Sequence, residues 1–391
     1  MKKQTLAIHT AYPEKDAYGA LSMPVYHSAA YEFDNAAVMA DAFCGRIIAP
    51  DYSRVMNPTV MNFENKVKTL TNASAVVALN SGMAAISNTL LALSSAGKNI
   101  VSSRHMFGNT YSLITESLPR FGVAAHTCDL TDISQVKKAV DGETCCIFLE
   151  IITNPQMEVA DLSALAEIAH SHGIPLVVDT TMIPFTEFSS RKLGVDIEIV
   201  SSTKYLSGGA TSIGGLIIDY GNFPEFTKTI KGEMLFNFGA YMTPHVAYMQ
   251  TLGLETLQAR YKVQASNAME LARRLEHTQG IAHVGYTGLE SSPYHELSVR
   301  QFGPTAGAMV TIDLESKEAC FKFIDSLKLI YRATNLFDIR TLARHPASTI
   351  FGPFSDAKRR EMDVLDTTIR ISVGLEDVDD LYEDICQAIK A

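Results

Sequence analysis

The chain has 391 residues and carries 33 Lys+Arg against 43 Asp+Glu, a formal net charge of −10. Apolar residues make up 47%, which allows a sizeable core and excludes a disordered chain, while the acidic balance argues against nucleic-acid or membrane-surface partners. No apolar run approaches the ~20 residues of a bilayer span, and Met1-Lys2-Lys3-Gln4-Thr5 has no long apolar stretch behind it, so the expected location is cytoplasmic.

Residues 1–58 are broken by Tyr12-Pro13, Gly19, Pro24, Gly45, Pro50 and Pro58, and read as an extended arm rather than a domain. From 59 to 252, short apolar runs alternate with helix-length amphipathic segments. The runs are 75–79, 99–101, 123–126, 145–149, 174–178, 197–200 and 213–218, and helices are predicted over 82–94, 108–121, 132–140 and 161–172. Near-continuous apolar strands alternating with helices predict an α/β fold, a mostly parallel sheet with helices on both faces. A long helix is predicted to begin after Gly253, from Leu254 to about Glu276, opening a smaller α+β domain over 253–391 with strands at 308–312 and 368–373. The six cysteines show no ligand-like spacing and read as free thiols, and His170-Ser171-His172 has no partner pair; no metal is expected.

In such sheets ligands sit beyond the carboxyl ends of the strands. After 75–79 comes Asn80-Ser81-Gly82-Met83-Ala84-Ala85, small residues opening a helix whose N–H groups can face an anion, though Ser81 serves equally as an ordinary helix cap. Asp179 follows 174–178 at a strand end, where a carboxylate suits catalysis or helix capping. After 197–200 comes Ser201-Ser202-Thr203-Lys204-Tyr205, a lysine among hydroxyls, able to form a Schiff base beside phosphate-binding groups. Phosphate, ring nitrogen and aldehyde are the three handles of pyridoxal phosphate. The Gly-x-Gly-x-x-Gly of a nicotinamide site and the Lys-bearing loop of a nucleotide triphosphatase are both missing from these turns.

From end to end the sequence resembles the Cys/Met-metabolism branch of fold-type I pyridoxal-phosphate enzymes. The motifs that carry the resemblance are Tyr52-Ser-Arg54-Val-Met-Asn57-Pro58-Thr59, Ser81-Gly82-Met83-Ala84-Ala85, Val178-Asp179, Ser201-Ser-Thr203-Lys204-Tyr205, His345-Pro-Ala-Ser348 and Arg370-Ile-Ser-Val-Gly-Leu-Glu-Asp377. It implies that Lys204 binds pyridoxal 5'-phosphate and later shuttles protons, with Asp179 on the ring nitrogen and Asn154 at the ring hydroxyl. Ser81 (hydroxyl or backbone), Gly82, Met83, Ser201 and Thr203 would surround the phosphate, and Tyr52 and Arg54 would reach it from a neighbouring subunit. Arg370 would grip the substrate α-carboxylate, with Asn335 also at the substrate. Shared sites imply a homodimer, assembling as a homotetramer.

Three departures bear on the reaction. Phe107 stands where the family has a ring-stacking tyrosine, which keeps the stacking and loses an acid–base phenol. Asn109 replaces the cysteine of methionine γ-lyases, and Thr334 the acidic residue of cystathionine γ-lyases, while Asn335 is like the sulfhydrylases. Ile151-Ile152 and Ile350-Phe351 also depart from the family pattern, with no consequence the sequence reveals. The expected activity is that of a homocysteine synthase of the O-acetylhomoserine sulfhydrylase type, acting in methionine and cysteine metabolism on an amino-acid ester and sulfide or a thiol. The alternatives are a methionine γ-lyase, a cystathionine synthase or lyase, or a non-catalytic relative with a relic site.

Overall fold

The structure is a computed structural model that describes residues 1–10, 12 and 16–391; Pro13, one of the breaks read in the arm, lies outside them. Seven strands form the larger sheet: β1 (Ala75–Leu79), β2 (Asn99–Ser103), β3 (Ala124–Cys128), β4 (Thr144–Glu150), β5 (Leu176–Asp179), β6 (Ile197–Val200) and β7 (Gly215–Asp219), in the order β1-β7-β6-β5-β4-β2-β3. Its strands β6, β5, β4, β2 and β3 are parallel, and β7 runs antiparallel to both β6 and β1. Successive side chains point to opposite faces, so β1 sends Val76 and Ala78 into one apolar cluster and Val77 and Leu79 into another. β4 and β5 divide likewise, Ile147, Leu149 and Val178 from Phe148 and Val177. Both faces are dry along the inner strands, which is why those runs read as continuously apolar, while the edge strand β3 is partly exposed throughout.

Three predicted helices form close to their expected bounds, as Gly82–Leu93, Ile133–Ala139 and Leu162–Ser171. The fourth, 108–121, does not stay α-helical. It runs as α-helix over Gly108–Ser112, widens to a π-turn over Leu113–Ser117 and tightens to a 3-10 turn over Leu118–Phe121. Pro119 lies in the last turn and has no N–H for the helical ladder, and Gly122 then ends it at φ +80°.

The long helix also differs from expectation. It starts at Pro244, capped by Thr243, and runs 32 residues to Leu275, straight through Gly253 and the position where the domain boundary was expected. Gly253 reads as a break but is needed for close approach: a Cβ there would lie 1.8 Å from the carbonyl oxygen of Leu206. The turn after Lys204 therefore rests directly on the helix backbone. Arg260, one level further along, holds the same turn by donating to the carbonyl oxygen of Tyr205 at 2.9 Å.

The C-terminal part carries a second sheet of β8 (His283–Gly285), β9 (Met309–Asp313), β10 (Tyr331–Arg332), β11 (Leu342–Arg344) and β12 (Thr368–Ser372), in the order β10-β11-β12-β9-β8. At the start of the chain, the helix Lys3–His9 buries Ala7, whose carbonyl accepts from Lys66 Nζ at 2.9 Å. The helix Ala36–Phe43, by contrast, buries none of its residues, and Tyr18, Leu21, Phe43 and Ile48 stand exposed. No helix among the described residues is long and apolar enough to cross a membrane.

The contact at Gly253 makes a stability prediction. Gly253→Ala should cost about 1–3 kcal/mol through overpacking, read as a lower urea midpoint. Gly232→Ala, where an added Cβ meets nothing within 4 Å, should leave the midpoint unchanged or raise it.

Candidate active site

Because β7 is reversed, β1 runs parallel to β6, and the carboxyl ends of β1, β2, β4, β5 and β6 all reach the same edge of the sheet. That edge opens on a cavity of about 1080 Å³. Each strand delivers a predicted residue to it: Ser81, Gly82 and Met83 after β1, Phe107 after β2, Asn154 after β4, Asp179 ending β5, and Ser201, Thr203 and Lys204 after β6. The C-terminal part faces them with Asn335, from the loop between β10 and β11, and with Arg344 at the end of β11.

The local geometry shows how each group is held. Ser81 does cap the helix, its Oγ accepting from the Ala84 N–H at 3.0 Å, and the N–H groups of Gly82 and Met83 are left without acceptors inside the helix. A Cβ on Gly82 would come within 2.8 Å of Ser201 Cβ and Oγ, closing the cleft between the two turns. Thr203 is fixed by Gly214, its Oγ1 donating to the Gly214 carbonyl and accepting from the Gly214 N–H, both at 3.1 Å. Asn154 is buried, precedes a cis-proline, and its Oδ1 has no hydrogen-bond partner.

Lys204 Nζ donates to Asn335 Oδ1 at 2.7 Å. Burial, and then the guanidinium groups of Arg370 and Arg344, lower its amine to about 8, with Asp179 opposing. Asp179 itself accepts from the Thr181 N–H at 2.9 Å, yet the surrounding protein pushes its carboxyl up. Arg370 lies just behind the cavity wall, 1% exposed. One of its terminal nitrogens, NH2, donates to the carbonyl oxygen of Asn335 at 2.7 Å, while Nε and NH1 have no partner.

Tyr52 and Arg54 are not brought to this cavity. The Arg54 guanidinium stacks 5.0 Å from the Tyr52 ring, and Gly239 lies against its side chain. Two charged groups at the cavity were missed from the sequence. Glu150 ends β4 beside Asp179, its register partner on β5, and accepts from the Phe107 N–H at 2.8 Å; the surrounding protein and then Asp179 raise its carboxyl to about 8. Arg344 ends β11 opposite Arg370 of β12. Its position directly before His345 was the available signal.

Strand-end lysine, strand-end carboxylate and a helix start aimed at an anion, gathered at one edge of an α/β sheet, define a lysine-centred cofactor enzyme. The comparisons make this particular. The model of the Cys/Met metabolism PLP-dependent enzymes matches residues 4–390, and the chain belongs to that family. It is 37% identical to the O-succinylhomoserine sulfhydrylase of Pseudomonas aeruginosa, over 94% of this chain and 90% of that protein. It is 34% identical to an L-methionine gamma-lyase of Fusobacterium nucleatum, over 100% and 99% of the two chains. The crystal structure of a putative O-acetylhomoserine (thiol)-lyase from Campylobacter jejuni, which carries a pyridoxyl-lysine monophosphate adduct, superposes with a TM-score of 0.96 at 30% identity over the full length of both chains. The fold is therefore the fold-type I architecture, and the cofactor is pyridoxal phosphate. The residues present fit it. The free N–H groups at the Gly82–Met83 helix start, the Asn154 Oδ1 with no partner among the described residues and the buried Asp179 carboxyl are features that phosphate, ring hydroxyl and protonated ring nitrogen would complete.

The lowered Lys204 amine predicts how the cofactor-free protein takes up pyridoxal phosphate. Only the neutral amine is a nucleophile, so below about 8 the uptake rate should rise roughly tenfold per pH unit and then flatten. An ordinary lysine would keep rising toward 10.5. Stopped-flow absorbance of the bound cofactor against pH reads the break.

Proposed function

We propose that the protein is a homocysteine synthase that replaces the γ-acyloxy group of an activated homoserine ester with sulfide. The observation that carries this reading is Phe107, tied to Glu150 through its backbone and bringing no phenol to the cavity. A carboxylate leaving group departs without an acid to protonate it, whereas the thiolate of methionine needs one. Asn109 and Thr334, both at the cavity wall, likewise supply neither the cysteine nor the acid of the lyase branches.

In this reading the chain's own groups divide the work. Arg370 offers the unpartnered N–H groups of Nε and NH1, which flank NH2 on either side, to the substrate α-carboxylate, and a paired grip would combine NH2 with one of them. Asn335 steadies both that arginine and the amine of Lys204. Lys204, with its amine held at about 8, takes the α-proton and carries protons between neighbouring carbons close to neutral pH. Gly82, Met83, Ser201 and Thr203 hold the phosphate, Asn154 the ring oxygen and Asp179 the ring nitrogen, and the ring of Phe107 covers the cofactor. Pyridoxal phosphate supplies the electron sink for the charge left at the α-carbon.

The arm fits a shared site. Arg54 Nε is buried without a partner among the described residues, Arg54 and Tyr52 lie outside the chain's own cavity, and the arm exposes large apolar side chains. We place these two residues at the phosphate of a neighbouring subunit, with residues 1–58 acting as a bridge between subunits in a dimer or a tetramer built from such dimers.

Steady-state assays of O-acetylhomoserine and O-succinylhomoserine with sulfide, against cystathionine and methionine alone, test the reading. Homocysteine from an ester supports it; thiol and keto acid from methionine with no homocysteine synthesis overturns it. Arg370→Lys, which loses the paired contact, should lower kcat/KM by about 10–150-fold, chiefly through KM. For the shared site, Arg54→Ala and Lys204→Ala should each be nearly inactive alone, and mixing the two after mild dissociation should restore part of the activity. Absence of any restoration would place Arg54 in its own subunit's chemistry.

A further inference from the structure

Arg344 and Arg370 are direct cross-strand partners on β11 and β12 and so share one face of the second sheet. Like charges opposite one another destabilise a sheet, and here Arg370 is buried and Arg344 half-buried. Burial lowers the Arg344 guanidinium to about 10, and among the described residues no carboxylate pairs with it and its Nε has no hydrogen-bond partner. Arg370 is lowered further, by burial and then by Arg344. Lys204 feels both arginines. One substrate α-carboxylate brings one negative charge, and the unpartnered N–H groups of Arg370 take it. The phosphate belongs at the Ser81–Met83 helix start, and the charge of Asp179 at the ring nitrogen. Arg344 still lines the cavity, beside Thr334, Asn335, Thr349 and Ile350, with its own charge unmatched.

We propose that Arg344 forms a second anion subsite, so that the preferred substrate is an amino acid whose γ-substituent carries a negative charge of its own, as a dicarboxylic half-ester of homoserine does. This rests on the γ-replacement reading and moves it from the acetyl ester expected from the sequence to an ester of the succinyl type. A bidentate guanidinium–carboxylate pair away from bulk water is strong and geometrically selective. Because Arg344 and Arg370 stand opposite one another, the two carboxylates of one substrate would neutralise the pair together.

The test uses the holoenzyme and two amino acids with nothing to expel at the γ-carbon, L-2-aminoadipate with a distal carboxylate and L-norleucine without one. Binding of each is followed by the absorbance of the bound cofactor. The wild type should bind 2-aminoadipate at least about tenfold more tightly than norleucine; no preference in the wild type overturns the proposal without any variant. Arg344→Gln should weaken 2-aminoadipate about tenfold or more and leave norleucine within about threefold, and Arg344→Lys should keep part of the preference. Equal weakening of both ligands by Arg344→Gln would assign Arg344 to the α-carboxylate and overturn the subsite, as would no change in either. In turnover, the succinyl-to-acetyl ratio of kcat/KM should fall in Arg344→Gln. If neither ester gives homocysteine, the γ-replacement reading fails while the binding comparison still judges Arg344.

Discussion

Asn335 holds Lys204 by its side-chain oxygen and Arg370 by its backbone oxygen, both at 2.7 Å. A lysine on one sheet and an arginine on the other are thus referenced to the same residue, and the distance between amine and guanidinium is fixed by a single asparagine. The backbone there is left-handed, φ +94°, a conformation that costs a non-glycine residue about 1–3 kcal/mol. That cost is met next door. The Tyr205 ring, following Lys204, stacks on the Phe337 ring at 4.2 Å, and the Phe337 N–H donates to Ser372 Oγ at 2.6 Å, two residues beyond Arg370. The site is triangulated by packing rather than by its own charges, which repel.

The larger sheet was legible because its inner strands are dry on both faces and read as apolar runs, and only the edge strand β3 is partly exposed along its length. The direction of each strand was not. A strand buried on both sides looks the same whichever way it points, so nothing in 213–218 revealed that β7 is reversed. Yet that reversal turns β1 into line with β6 and brings the Ser81 turn to Lys204. The long helix was misread at its start for a related reason. A glycine that ends a helix and a glycine that lets a carbonyl press against one are the same letter, and only the tertiary contact at Leu206 separates them.

At the site, most of the motif residues line one cavity, with Arg370 directly behind its wall and Tyr52 and Arg54 outside it. What stayed hidden were charges whose meaning depends on a neighbouring strand. Glu150 closes an apolar run and reads as its solvent end until β5 sets Asp179 beside it. Arg344 reads as any strand arginine until the pairing with β12 puts Arg370 opposite. Residue spacing along one strand says which face a side chain takes, but not what the next strand places there.

The two opposed guanidinium groups give the molecule a layered potential. The chain as a whole is negative, −10 overall, while Arg344 and Arg370 set two positive charges at one end of the cavity. An anionic ligand is then pushed away at long range and drawn in only at the mouth. Salt screens over roughly 8–10 Å at physiological strength, so it weakens the outer repulsion before the inner attraction. Moderate ionic strength should therefore ease the approach of an anion to this protein, where a simple basic cleft would be slowed by it.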